Sequence, residues 1–305
     1  MSYAAIAREK AAIVERTGLL GEGSMSARLV TRFFIEGFAT AEQRQRWQSQ
    51  ITAVAISEPK VGAHPKLLTT RADEGANGFS ISGEKAWVTN GPLAAVFIVL
   101  AITAEDAGRK RYSAFLVPRD TPGLSIEETP QYQVLAPSRH CGLRLNCCRV
   151  PRSAVLGLDG TAYEALAMPF RGVEDAVGSF GLLGMFRFLL RRLAASQESE
   201  EAALSLGGLA ALAALFAEGA AVIVAALDVS ELEARANVLA GLYVLARDML
   251  ARARAHRDAF GPACDEAIDR AFADLDTALS VARGPRTVRQ ARLGRMLFAA
   301  AARKG

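Results

Sequence analysis

Between Ile51 and about Gly157 the chain reads as short β-branched and aromatic runs cut by Gly, Pro, Asn and Asp. On either side, apolar residues recur every three or four positions among charges. A single β block between helical flanks excludes a doubly wound parallel sheet, in which strands and helices alternate. The expected class is α+β: a short N-terminal helical segment over residues 1–50, a small antiparallel β-barrel or sandwich over 51–157, and a C-terminal helical bundle over 158–305.

The β block contains ITAVAIS, GFSISG, AWVTN, AVFIVLAIT, YSAFLVP and LSIEET, punctuated by turn signals at Asn77-Gly78, Asn90-Gly91-Pro92 and Thr121-Pro122-Gly123. Residues 95–102 are apolar on consecutive positions, as in a strand buried on both faces, whereas Phe79, Ile81 and Gly83 alternate with Ser80 and Ser82. Before the block, Thr40 followed by Gln43 has the spacing of a capping box opening a helix that runs to about Gln50. After it, helical period continues to Ala302 with breaks near Ser196, Asp228 and Gly261-Pro262.

Charge narrows the partners. The 36 Lys+Arg and 32 Asp+Glu leave +4, spread along the chain without a basic block, so nucleic acid is not an expected partner. Cys141, Cys147, Cys148 and Cys264 show neither CxxC pairing nor a histidine in ligand register, which points to no metal and to a reducing, cytoplasmic setting. The N-terminal stretch carries charges in place of the apolar core of a secretory signal. Residues 204–227 are apolar enough to suggest a membrane span, but Glu218 interrupts them and their Ala- and Gly-rich texture suits a helix packed in a bundle.

Two segments carry chemistry. Ala55-Ile56-Ser57-Glu58-Pro59-Lys60-Val61-Gly62 is an apolar strand ending in a hydroxyl and a Pro turn. Gly83-Glu84-Lys85-Ala86-Trp87-Val88-Thr89-Asn90-Gly91 presents an indole and a hydroxyl two positions apart, hence on one face. Two hydroxyl donors beside one large flat ring would suit a planar heteroaromatic ligand. Alternatively, Trp87 is a core aromatic, and Ser57 and Thr89 are strand-end hydroxyls satisfied by backbone. Glu84 and Lys85 read as solvated neighbours, and His64 and His140 as exposed loop residues.

With these segments the chain resembles the acyl-CoA dehydrogenases. That family shows Thr-Glu-Pro-Gly-x-Gly-Ser-Asp and then Gly-x-Lys-x-Trp-Ile-Thr-Asn-Gly; here stand SEPKVGAH and GEKAWVTNG, with the family's interval between Ser57 and Trp87. FATAEQRQRW, FLVPRDTPGLSI and CRVPRSAVLG extend the likeness over about Phe38 to Gly157, and GSFGLLGM continues it weakly. The resemblance implies a flavoprotein of fatty acid metabolism with FAD between the β domain and the bundle. Ser57 and Thr89 would donate to the flavin's polar edge, Trp87 would pack beside it, and Ile56 and Val88 would line the site through backbone. It further implies an oxidoreductase that dehydrogenates an acyl-CoA thioester by proton abstraction and hydride transfer to flavin N5, with an electron acceptor protein downstream and a homodimer or homotetramer as the assembly.

Departures from the family pattern are specific. About 50 residues precede the β domain where the family has well over 100, and Gly62-Ala63-His64 replaces Gly-Ser-Asp. The family's Arg-x-x-Phe-Gly becomes Leu190-Arg191-Arg192-Leu193-Ala194-Ala195-Ser196-Gln197, where Arg191 and Arg192 read as solvated helix-face charges. Aligning GPRTVRQARLGRML with the family's base-bearing loop sets Arg283 where the catalytic glutamate belongs, and a guanidinium cannot accept a proton. Glu174 stands about a turn from the family's alternative base position, or serves as a helix N-terminal acid. The catalytic residue is therefore open, and a degenerate, non-catalytic binding or assembly subunit is the second reading.

Overall fold

The computed structural model describes residues 1–132, 134–195, 198–262, 264–281 and 283–302. The chain forms two compact units: residues 21–174 together with Met1, and residues 2–20 together with 175–305.

The first unit opens with α2 (Ser24–Val30), which follows the α1 helix of the other unit. It continues through a π turn (Thr31–Ile35) into α3 (Glu36–Phe38) and α4 (Ala41–Trp47). The capping box forms: Thr40 Oγ1 accepts from the Gln43 N–H (3.2 Å) and Gln43 Oε1 accepts from the Thr40 N–H (3.0 Å). Gln43 does more than cap. Its Nε2 donates to the carbonyls of Ser153 (2.8 Å) and Val155 (2.9 Å), fastening α4 to the chain where it leaves the sheet.

Eight strands follow: β1 (Thr52–Ala55), β2 (Arg71–Gly75), β3 (Gly78–Thr89), β4 (Val96–Asp106), β5 (Arg109–Pro118), β6 (Leu124–Glu127), β7 (His140–Val150) and β8 (Val155–Leu156). They make one sheet in the order β6-β7-β3-β2-β4-β5-β8, with β1 also paired to β4. The antiparallel expectation needs correction at that edge: β1 runs parallel to β4, and β2 meets β4 in a parallel pair at Arg71 and Ile102. The chain between β1 and β4 includes the whole β2–β3 hairpin, long enough to return a strand in the same direction. Val96 to Ile102 are all buried, as a strand apolar on consecutive positions requires, and Phe79 meets Phe115 edge-on at 4.9 Å in the core.

The second unit is helical. It contains α1 (Tyr3–Thr17), most of α5 (Met168–Leu193), α6 (Glu200–Asp228), α7 (Ala236–Phe260), α8 (Glu266–Ser280) and α9 (Arg283–Ala302). The breaks at Asp228 and Gly261 form as read, while Ser196 and Gln197 lie outside the described residues. Helix α1 crosses α5 closely at Gly184, where a Cβ would sit 2.4 Å from the Ala11 carbonyl oxygen. Among the described residues, α6 is one helix long and apolar enough to cross a membrane, and it shows Leu204, Leu215 and Val222 on its surface.

Because Gln43 both caps α4 and satisfies two carbonyls beyond the sheet, Gln43→Ala should cost about 2–3 kcal/mol. Thr40→Ala should cost about 1 kcal/mol. Urea unfolding of the two variants measures the difference, and equal losses would mean that Gln43 only caps.

Candidate functional site: a hydroxyl and indole ledge on the sheet

Strict alternation along β3 would put Trp87 on the same side as Phe79, Ile81 and Lys85, inside the core. A bulge prevents this. Lys85 pairs with Leu143 and Val88 with Cys141, so three steps on β3 oppose two on β7. Trp87 takes up the extra residue with φ +60°, leaving its indole 49% exposed while Val88 returns to full burial. The core-aromatic alternative for Trp87 is thus excluded.

Ser57 arrives beside the bulge from the end of β1, its carbonyl accepting the Ala86 N–H at 2.8 Å. Thr89 follows Trp87 by two positions on the outward side. Both residues are half-buried, and among the described residues neither hydroxyl has a hydrogen-bond partner. The alternative in which backbone satisfies them is not what the fold contains. Ile56 is half-buried with its carbonyl committed to Lys85 Nζ (3.1 Å), and Val88 reaches the ledge only through its main chain.

The clamp behind this ledge was not legible as such in the sequence. Lys85, read as a solvated neighbour, is 1% exposed and forms an ion pair with Glu58 at 3.0 Å. Glu58 Oε2 also accepts from the Thr69 N–H (2.7 Å) and Thr69 hydroxyl (2.8 Å), and Oε1 from the Thr70 N–H (2.9 Å). Glu58 also pairs with Gly62 through two main-chain bonds, closing the Pro59-Lys60-Val61 turn; Lys60 (φ +66°) and Gly62 (φ +59°) take left-handed backbone there. Burial alone would raise the Glu58 carboxyl, but the Lys85 charge and the Thr70 and Thr69 donors outweigh it and hold the pKa at about 2. Burial pushes the Lys85 ammonium down to about 8 against the pull of Glu58.

His140 also needs correction. It is the first residue of β7, half-buried and directly opposite Thr89, with its pKa lowered by burial. Its neighbour in sequence, Arg139, is paired with Glu128 at 2.5 Å. His64 does lie exposed in the turn region, and Ala63 contributes a carbonyl to the Tyr163 hydroxyl (3.2 Å). Of the Cys147-Cys148 pair, Cys148 is buried and Cys147 exposed.

Glu174, the last residue of the first unit, is not a helix N-terminal acid, because α5 begins at Met168. Asp175 pairs with Arg286 Nη2 at 2.5 Å, and the Arg286 guanidinium lies 3.6 Å from the centre of the Tyr243 ring. Arg191 bonds to Glu15 and Arg192 to Asp265 (2.9 Å), so these arginines are surface ion pairs rather than free charges. Arg283 opens α9, and its side chain lies outside the described residues.

Residues 53–148 match the family model for the acyl-CoA dehydrogenase middle domain. A mitochondrial 2-methylacyl-CoA dehydrogenase from Solanum tuberosum is 32% identical over 154 residues, covering 48% of this chain and 37% of that protein. The structure of an acyl-CoA dehydrogenase from Geobacillus kaustophilus aligns with a TM-score of 0.81 over 97% of this chain and 83% of its own, at 19% identity. A glutaryl-CoA dehydrogenase from Mycobacterium smegmatis, in complex with FADH2, aligns with a TM-score of 0.71 over 85% and 71%, at 24% identity. Residues 53–148 are thus similar to the acyl-CoA dehydrogenase middle domain, and the fold of the chain is the fold of the aligned acyl-CoA dehydrogenase structures. The matched segment spans about a third of the length of the curated relatives, 32% to 37%.

Removing one partner of the buried pair leaves the other charge uncompensated, so Lys85→Met should destabilise the protein by about 3–5 kcal/mol. In denaturant titration, a loss below 1 kcal/mol would show that the pair does not hold the loop. The Glu58 pKa sits below its ordinary 4.5, so its contribution is present above that pH and fades as pH falls toward 2. That contribution is about 3 kcal/mol. Lys85 is protonated in folded and unfolded chains throughout that window and adds no slope. Glu58→Gln should flatten the acid limb of a stability–pH curve.

Proposed function

We propose that the ledge binds FAD and that the chain is an acyl-CoA dehydrogenase-like oxidoreductase acting on an acyl-CoA thioester. The reading rests on one observation: an indole turned out of its own core stands beside the Ser57 and Thr89 hydroxyls, neither of which has a hydrogen-bond partner among the described residues. Such a surface fits a flat heteroaromatic with a polar edge. When bound, the flavin supplies a hydride acceptor for α,β-dehydrogenation. On this chain, Ser57 and Thr89 donate to the ring's polar edge, Trp87 packs beside it, and Ile56 and Val88 shape the floor with main chain. The mycobacterial relative in complex with FADH2 supports the same assignment. An electron acceptor protein, a cytoplasmic setting and a homodimer or homotetramer complete the proposal. Exposed Met296, Leu297 and Phe298 on α9 are consistent with an assembly that covers them.

A second reading, a flavin-binding or assembly subunit without dehydrogenation chemistry, is favoured by a specific observation. Arg283 occupies the position that the family alignment gives to the base, and Asp175 is ion-paired with Arg286.

Purified protein incubated with excess FAD and desalted should be yellow; a colourless product ends the FAD reading. Trp87→Ala combined with Thr89→Ala should lower flavin stoichiometry, and unchanged stoichiometry would overturn the site. Anaerobic bleaching of the bound flavin by an acyl-CoA supports the dehydrogenase, whereas a yellow protein that no acyl-CoA bleaches supports the second reading.

A further inference from the structure

Three neighbouring strands, β6, β7 and β3, end side by side at the ledge. Thr89 on β3 faces His140 on β7 in a directly opposed pair, so both side chains project from the same face, about 5 Å apart at Cβ. The adjacent pair, Val88 with Cys141, is buried on the other face. The last β6 pair joins Glu127 to Gly142; Thr129 follows β6 by two residues, and His140 precedes Gly142 by two on β7.

Among the described residues, no hydrogen bond reaches the His140 Nδ1, Thr129 Oγ1 or Thr89 hydroxyl, and the first two atoms are buried. A buried polar atom left without a hydrogen bond destabilises the free protein. The charges nearby do not relieve this, because Arg139 and Glu128 are paired with each other. Two unsatisfied groups beside an exposed indole mark a ledge that something else completes.

We propose that His140 and Thr129 extend the cofactor ledge beyond Ser57, Trp87 and Thr89, giving a row of hydroxyl, imidazole and hydroxyl that hydrogen-bonds the polar edge of the bound flavin ring. The proposal rests on the FAD reading. It makes His140 a binding residue of the ledge and predicts opposite effects of one substitution on stability and on binding.

The experiment titrates FAD into wild type, His140→Leu, His140→Gln and Thr129→Val by flavin fluorescence quenching, with thermal unfolding of each protein without FAD. His140→Leu removes an unsatisfied polar atom from the free protein, so its midpoint should be equal to or above wild type while FAD affinity falls about tenfold. His140→Gln should restore most of the affinity and Thr129→Val should lose several-fold. A changed position of the flavin absorption band in His140→Leu is expected as well. If wild type binds FAD and neither His140→Leu nor Thr129→Val changes affinity or spectrum, this inference is overturned and the FAD reading stands; ordered water then satisfies the row. If wild type binds no FAD, the FAD reading falls and this inference with it. Should His140→Leu fail to fold, its predicted stability is wrong and the proposal for His140 falls; Thr129→Val then decides Thr129 alone.

Discussion

A carboxylate and an ammonium, Glu58 and Lys85, meet at 3.0 Å inside the sheet. Neither charge tolerates burial alone, so each requires the other to be where it is. Lys85 lies on β3 two residues before Trp87, and Glu58 follows Ser57, so the pair pins the end of β1 against the strand that carries the indole. The Thr69 and Thr70 donors add the start of β2 to the same carboxylate. Three segments distant in sequence are thus held to one point, and the ledge is their outer surface.

The bulge supplies what the ion pair cannot. Holding β1 to β3 would still leave an in-register Trp87 facing the core. One extra residue between Lys85 and Val88 inverts the alternation, so the lysine and the indole, two positions apart, occupy opposite faces. The outcome is a charge pair sealed inside and an aromatic surface outside, built from neighbouring residues. The buried ion pair and the exposed ledge draw on the same few residues but on opposite sides of the sheet.

Some of this was legible in the chain. The Thr40 and Gln43 spacing reported a capping box, because that interaction is local and depends on two residue types at a fixed interval. Residues 95–102 announced a strand buried on both faces by their unbroken apolar run. By contrast, β2 (Arg71–Gly75) is polar and shows no alternation, so no periodicity could disclose it, although it lies between β3 and β4 in the sheet. Lys85 looked solvated because its partner lies 27 residues earlier. His140 looked like loop because the run preceding it is rich in turn residues, and only the β3–β7 register shows what it opposes.

The sequence by itself determined the class of fold, the family of the middle domain and the identity of the ledge residues Ser57, Trp87 and Thr89, since these follow from local periodicity and from short motifs at a fixed interval. Only the tertiary structure decided which way those side chains face, that Lys85 is buried and paired, and that His140 faces Thr89. The physical reason is that facing depends on strand register and on a single left-handed residue at a bulge, and the compensation of a buried charge depends on a partner that chain proximity does not reveal.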